Sequence, residues 1–323
     1  MRRGGRVAHD MRAIGVTTPG DEDQLEVLDL PVQDPQEGQI RIRVHAATVN
    51  PTDTAMIRGA YYRDGDVPPG PHIPGMDLSG VVDAVGPGVD RFTVGDRVIA
   101  VVAPTSETRG AYQEQIVLPA EQVVPAPAGA DDAAASTLLM NALTARLALD
   151  ELAVPAGGTV AVTGAAGSFG GYVVQLAKAD GLRVVADAKE GEEDLVRELG
   201  ADIVVRRGDD VAANIRAAVP EGVDGLADGA VQIDKTLAAI KDGGALATIR
   251  GWDGPAERDI SVHPIWVFPA VGDTEKLDRL RHQVEDGTLT LRVATTFPAE
   301  QAAEAHKLLA AGGVRGRIVL DFS

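Results

Sequence analysis

Val160-Ala161-Val162-Thr163-Gly164-Ala165-Ala166-Gly167-Ser168-Phe169-Gly170 decides the fold. Thr159 to Thr163 is apolar and β-branched and reads as a strand. It runs into a glycine-punctuated turn and then a helix over Gly170 to Ala179. Glycines at such a turn let the backbone approach a pyrophosphate, and the helix N-terminus supplies N–H groups and the positive end of a dipole. The spacing is G-x-x-G-x-x-G rather than G-x-G-x-x-G, and among 37 glycines a match of this kind says little alone. At the head of a strand–helix series it reads as a dinucleotide site, with Gly164, Ala165, Ala166, Gly167, Ser168, Phe169 and Gly170 as the phosphate-binding residues. The competing reading is a plain strand–helix turn.

Downstream, strands alternate with helices. Strands are expected at Arg183–Ala186, Asp202–Val205, Val223–Ala227 and Ala245–Ile249, and helices at Glu192–Leu199, Val211–Ala218 and Gln232–Ile240. Such alternation forces right-handed crossovers and a doubly wound parallel sheet. The segment Ile260–Val271 offers a sixth strand. Helices over Glu275–Glu285 and Ala299–Ala310 and a strand over Arg317–Phe322 follow. Upstream, Asp131–Asp150 has helical spacing. From Gln24 to about Pro127 the pattern is short strands: Leu25–Leu30, Gln39–Ala46, Leu78–Val85, Arg97–Val102 and Gln113–Leu118. Gly/Pro/Asp turns such as Gly86-Pro87-Gly88 separate them, which reads as an antiparallel, barrel-like domain. The fold class is α/β, a β-barrel domain plus a parallel-sheet domain. Met1–Asp10 has three Arg and no apolar core and reads as a disordered leader rather than a signal peptide.

Composition narrows the chemistry. The 323 residues carry 30 Lys+Arg against 48 Asp+Glu, a net charge of −18. That balance disfavours nucleic acid and anionic membranes as partners. With no cysteine, disulfides, thiolate metal sites and cysteine nucleophiles are excluded. The six His form no ligand pair. No apolar run reaches membrane-helix length, so a cytoplasmic protein is expected.

The identity of the dinucleotide is balanced at the second strand. Val184-Val185-Ala186 ends in Asp187, an acid suited to the ribose 2′-hydroxyl of NAD(H). Lys189 follows two residues on, and Arg206 and Arg207 follow the third strand; cations there favour NADP(H). NADP(H) is favoured and NAD(H) remains open, as does the reading that Asp187 merely caps the next helix.

The chain from Met11 resembles the medium-chain dehydrogenase/reductase superfamily, most closely its zinc-independent quinone oxidoreductase (zeta-crystallin-like) branch. The matching residues run in order: Asn50-Pro51-Thr52-Asp53, Arg58-Gly59-Ala60-Tyr61, Pro74 to Val82, Gly95-Asp96-Arg97-Val98, Gly110 to Glu114, Thr144-Ala145, the glycine loop, Leu199 to Asp202, and Gly316 to Leu320. The resemblance implies a GroES-like catalytic domain over 11–128 and 273–323, interrupted by a Rossmann domain over 129–272. Zinc-dependent relatives carry Cys-His-Thr-Asp and Gly-His-Glu. This chain has Asn50-Pro51-Thr52-Asp53 and Gly75-Met76-Asp77, so no zinc is expected.

Without a metal, hydride transfer needs hydrogen-bond donors or a solvent proton to meet the charge developing on oxygen. Quinones and α,β-unsaturated carbonyls suit that, because conjugation spreads the charge. The candidate catalytic residues are Asn50, Tyr61 and Asp53. Asn50 is read either as a donor to substrate or as a partner of local backbone, Asp53 rather as a structural acceptor, and Tyr62 competes with Tyr61. The resemblance places Asn141, Thr144 and Phe268 near the nicotinamide, puts Arg317 where a cofactor-side Lys is usual, and implies a homodimer through the sheet edge near Val262–Val267. Ser168-Phe169 replaces the usual Gly-Val, and Asp228-Gly229-Ala230-Val231 is a loose match to Asp-x-x-Gly. The leading expectation is an NAD(P)H-dependent reductase of quinones or enones. The alternatives are an enoyl-thioester reductase and a non-catalytic dinucleotide-binding sensor or structural protein.

Overall fold

The computed structural model describes residues 10–62, 67–252, 254 and 257–323. The chain forms two compact units, Met1–Leu139 with Ala270–Arg281 and Leu291–Ser323, and Met140–Pro269 with His282–Thr290.

In the first unit β1 (Asp10–Gly15) pairs antiparallel with β2 (Glu26–Pro31). Asp10 is therefore the first residue of a strand rather than the end of a leader; the rest of the expected leader lies outside the described residues. β3 (Gln39–Thr48), α1 (Pro51–Ile57), β4 (Asp77–Val85), β5 (Arg97–Val101), β6 (Gln115–Pro119), β7 (Val123–Pro125) and α2 (Asp132–Ser136) follow.

The second unit begins in α3 (Leu139–Leu152). It continues through β8 (Thr159–Thr163), α4 (Ser168–Ala179), β9 (Arg183–Ala188), α5 (Glu193–Glu198), β10 (Ile203–Arg206), α6 (Val211–Ala218), β11 (Val223–Asp228), α7 (Ile233–Thr236), β12 (Ile240–Thr248) and β13 (Ser261–Pro264). The chain closes with α8 (Thr274–Glu285), β14 (Val293–Pro298), α9 (Ala302–Ala311) and β15 (Arg317–Asp321).

The first unit's large sheet runs β14-β15-β3-β4-β5-β7, with β6 pairing on β3. Only β14 and β15 run parallel in it. Alternation along β3 places Ile40, Ile42 and Val44 in a core with Leu78, Val98, Ile116 and Leu118. The second unit's sheet is wholly parallel, in the order β10-β9-β8-β11-β12-β13. Its central strands β8, β9 and β11 are buried along nearly their whole length, as near-continuous apolar runs; Ala161, Val185, Leu226 and Leu246 are buried in one core. Strand order reverses between β8 and β11, the switch point where open parallel sheets bind ligands.

Three expected elements differ. The single helix over Asp131–Asp150 is broken, because the Ser136 and Thr137 hydroxyls donate back to the Ala133 and Ala134 carbonyls at 2.8 and 2.7 Å and end α2. The helix over Gln232–Ile240 shrinks to α7 and a 3-10 turn at Leu237–Ala239, with Ile240 already in β12. The sixth strand is only Ser261–Pro264, ending at a proline that has no N–H to give.

Just after β11, Val231 holds φ +55°, a left-handed conformation that a β-branched residue resists. The Asp228 carboxylate imposes it by accepting the N–H groups of Ala230 (3.2 Å) and Gln232 (2.7 Å) on either side. A left-handed L-residue costs about 1–2 kcal/mol. Val231→Gly is therefore expected to raise the thermal midpoint by about 2–4 °C; an unchanged or lowered midpoint in calorimetry would contradict the strain.

Candidate active site

In the second unit, close packing makes the loop between β8 and α4. Gly164 turns the chain at φ +68°, and Gly170 lies so near it that an added Cβ would sit 2.4 Å from the Gly164 carbonyl oxygen. Gly167 precedes α4 as its N-cap and donates its N–H to the same carbonyl at 2.9 Å. Helix geometry turns the N–H groups of the first turn, Ser168 to Gly170, along the axis toward the loop. Phe169, the bulky departure, is buried and packs near Gly229 rather than filling the turn. Thr163 donates its hydroxyl to Asp228 (2.5 Å), which joins the loop to the segment after β11.

Asp187, at the end of β9, is buried and does not cap α5, whose N-cap is Glu192. Its Oδ1 accepts the Ala165 N–H of the glycine loop (3.1 Å), and its Oδ2 lies 3.6 Å from Arg207 Nε with no hydrogen-bond partner among the described residues. Burial pushes this carboxyl up, opposed by the loop N–H groups and by Arg207. A glycine cradle that a Cβ at position 170 would fill fits the pyrophosphate of a dinucleotide. Lys189 and Arg206 are exposed nearby: Arg206 pairs in register with Ala188 and lines a surface pocket of about 280 Å³ with Glu190, Glu193 and Arg197. On α3, Asn141 is half-buried, and Thr144 is buried with its hydroxyl donated to the Met140 carbonyl (2.6 Å). Phe268 starts a 3-10 turn, half-buried.

The residue expected on the cofactor side from the last strand is Arg317. It lies in the first unit on β15, buried, with Nη2 donating to Thr48 Oγ1 (2.6 Å), Asn50 Oδ1 (2.8 Å) and Asp77 Oδ2 (3.1 Å). A charge so enclosed needs these acceptors, and they hold the guanidinium in place. Asn50 is buried too. Its carbonyl is taken by Arg317 and its amide lies 3.4 Å from Asp77 Oδ2, so it serves this cluster before any substrate. Arg58 is held bidentate by Glu22 at 2.9 and 3.0 Å. Tyr62 is bound to His72 Nδ1 (2.7 Å). Tyr61 is half-buried, and no hydrogen bond to the described residues holds its hydroxyl; burial and the nearby Asp53 carboxylate raise its pKa.

Asp53 is the centre of the cluster. It is fully buried and accepts from Asn50 N (2.8 Å), Gly75 N (2.9 Å) and Tyr112 Oη (3.2 Å). Tyr112 Oη also meets His306 Nε2 (3.3 Å), and His306 Nδ1 meets Thr54 Oγ1 (2.9 Å). Tyr112 and His306 are not among the expected site residues. The one available signal was His306 on the face of α9 that also buries Ala302 and Ala305.

Burial pushes the Asp53 carboxyl up from 3.8 to about 7, with Asp77 adding repulsion, against the Asn50 and Gly75 N–H groups and Arg317. A carboxyl raised on folding takes up a proton on folding. Its contribution is full below about pH 4 and is lost as pH rises to about 7. From about pH 5 to about pH 8, wild-type stability relative to Asp53→Asn is expected to fall by on the order of 2–3 kcal/mol in urea unfolding. A difference that does not change with pH would contradict the shifted carboxyl.

Comparison with known proteins agrees with this architecture. Residues 36–128 match the alcohol dehydrogenase GroES-like domain and residues 199–320 the zinc-binding dehydrogenase family. The quinone oxidoreductase of Lama guanicoe is 30% identical over 96% of this chain and 97% of its own. The chloroplastic NADPH-dependent alkenal/one oxidoreductase of Arabidopsis thaliana is 28% identical, over 97% of this chain and 80% of its own. A mycobacterial structure complexed with NADPH superimposes with a TM-score of 0.84 at 29% identity, covering 96% of this chain and 100% of that one. The chain belongs to the medium-chain dehydrogenase/reductase superfamily, in its quinone oxidoreductase branch.

Proposed function

We propose that this protein is an NADPH-dependent, zinc-independent reductase of quinones and α,β-unsaturated carbonyls. The observation that carries the reading is the glycine loop at the sheet's switch point, with the Asp187 carboxylate bonded to its Ala165 N–H. The named activities of the similar quinone and alkenal/one oxidoreductases support it.

Gly164 to Gly170 hold the pyrophosphate on backbone N–H groups and the α4 dipole. Asp187 is buried, tied to the loop and faced by Arg207, which removes much of its repulsion toward a 2′-phosphate. The exposed Lys189 and Arg206 add attraction, and this charge balance favours NADP(H) over NAD(H). Asn141, Thr144 and Phe268 are assigned to the nicotinamide half. When bound, the reduced nicotinamide supplies the hydride. Tyr61 donates a hydrogen bond to the substrate oxygen; its raised pKa keeps the phenol protonated and able to donate. Asn50 and Asp53 position the loop that carries it, through the Gly75 N–H and the start of α1. Arg317 supplies the positive charge among Thr48, Asn50 and Asp77, and the donor set Asn50, Met76 and Asp77 is poor in zinc ligands. The open edge of β13, with Trp266 exposed just beyond it, serves a homodimer.

Absorbance assays with an ortho-quinone and a short 2-alkenal are expected to show NADPH consumption with both, faster than NADH consumption. Cofactor binding without turnover of either acceptor would overturn the reductase reading. Gly167→Asp is expected to abolish NADPH binding, since its Cβ would lie 3.0 Å from the Gly164 carbonyl oxygen and its charge would face phosphate. Retained affinity in titration calorimetry would sink the phosphate-loop assignment.

A further inference from the structure

The first unit contains a line of four groups, of which the proposed function uses only Asp53, as a positioning acceptor. Thr54 Oγ1 meets His306 Nδ1 at 2.9 Å, His306 Nε2 meets Tyr112 Oη at 3.3 Å, and Tyr112 Oη meets Asp53 Oδ2 at 3.2 Å. A hydroxyl, a neutral imidazole and a phenol each carry one proton and one acceptor site along this line. Two orderings along the line therefore satisfy every member, and the Thr48 carbonyl, 3.4 Å from Tyr112 Oη, is a longer acceptor off it. With Asp53 ionised, all bonds run toward it: Thr54 donates to Nδ1, Nε2–H to Tyr112, and Tyr112 to the carboxylate. With Asp53 protonated, all run away from it, and His306 carries its proton on Nδ1.

We infer that Asp53, Tyr112, His306 and Thr54 form a proton relay, in which each protonation of Asp53 is coupled to a tautomer exchange of His306. The protons balance. When Asp53 loses its O–H, that proton forms the Tyr112 O–H and the phenol's own proton forms Nε2–H. The Nδ1 proton then passes to the Thr54 oxygen, whose proton leaves to solvent. One proton enters or leaves, and no group but Asp53 changes charge. Thr54 is only half-buried and is the solvent end.

The surroundings explain why Asp53 exchanges a proton near neutrality. Asp53 and Asp77 are both fully buried and face one guanidinium, Arg317, which binds Asp77 directly. One cation balances one carboxylate, and the other takes up a proton. Tyr61 is the further titratable group facing Asp53, and Glu22 the charged group facing His306. Burial holds His306 down at about 4, so it stays neutral while Asp53, pushed up to about 7, titrates. Reduction of a quinone or enone takes one hydride and one proton, and the relay stores that proton beside Tyr61. Only this use rests on the proposed reductase function.

Nitrogen-15 NMR of the labelled full chain without cofactor tests the relay, with the His306 signals assigned by their loss in His306→Gln. Across roughly pH 5 to 9 the ring is expected to change from the Nδ1–H to the Nε2–H form, with a midpoint near that of Asp53, and never to become cationic. Asp53→Asn and Thr54→Val, at opposite ends, should each abolish the exchange. A single tautomer throughout, or an imidazolium forming in that range, would overturn the relay. Because the measurement uses neither cofactor nor acceptor, tautomer exchange in a protein inactive toward quinones and enones would keep the relay and sink the reductase reading. Turnover with a fixed tautomer would do the reverse.

Discussion

The approach of Gly170 to the Gly164 carbonyl is the contact on which the second unit's glycine loop depends. Any side chain at position 170 would drive a Cβ to 2.4 Å from that oxygen and push α4 away from β8. With only hydrogen there, the helix N-terminus is seated against the end of a central strand of a parallel sheet, where the strand order reverses. Backbone N–H groups, the helix dipole and the Asp187 carboxylate are then held together by the scaffold itself. The strain at Val231 belongs to the same construction. Asp228 binds Thr163, which leads into the loop, and the N–H groups that force Val231 into its left-handed turn.

The first unit meets a different constraint, charge without water. Asp53, Asp77 and Arg317 are all buried, so each must be answered by a hydrogen bond or an opposite charge. Thr48, Asn50 and the Gly75 N–H do part of this. Burial is what chiefly moves Asp53 toward neutral pH, and the second carboxylate, Asp77, adds to it against one guanidinium. In zinc-dependent relatives the corresponding positions carry Cys and His; here Asn50 and Met76 occupy them and a guanidinium binds the acid.

Elements with local signals were legible in the sequence. The strand Thr159–Thr163 and the helix Val211–Ala218 fall where their periodicity and flanking Gly/Asp residues place them. The glycine loop was legible for the same reason, being a motif contained in eleven residues. Helix α1 was missed, although Asn50 and Asp53 bracket its start and the Asp53 carboxylate takes the Asn50 N–H. Asp187 was singled out as an acid at a strand end, but its partner, the Ala165 N–H, is 22 residues away and follows only from the sheet. Arg317 and His306 have local signals for their elements, a strand and a helix face, but none for their partners. They reach Asn50 and Tyr112 across 267 and 194 residues, and only the pairing of β15 with β3 and the packing of α9 on α1 bring them there.

The central claim is that the Gly164–Gly170 backbone is a dinucleotide phosphate site. Hydrogen–deuterium exchange of the full chain, with and without NADPH, tests it most directly. Slower exchange at the Ala165 to Gly170 amides on adding NADPH is the predicted result. Unchanged exchange at those amides, with protection appearing elsewhere in the chain, would contradict it.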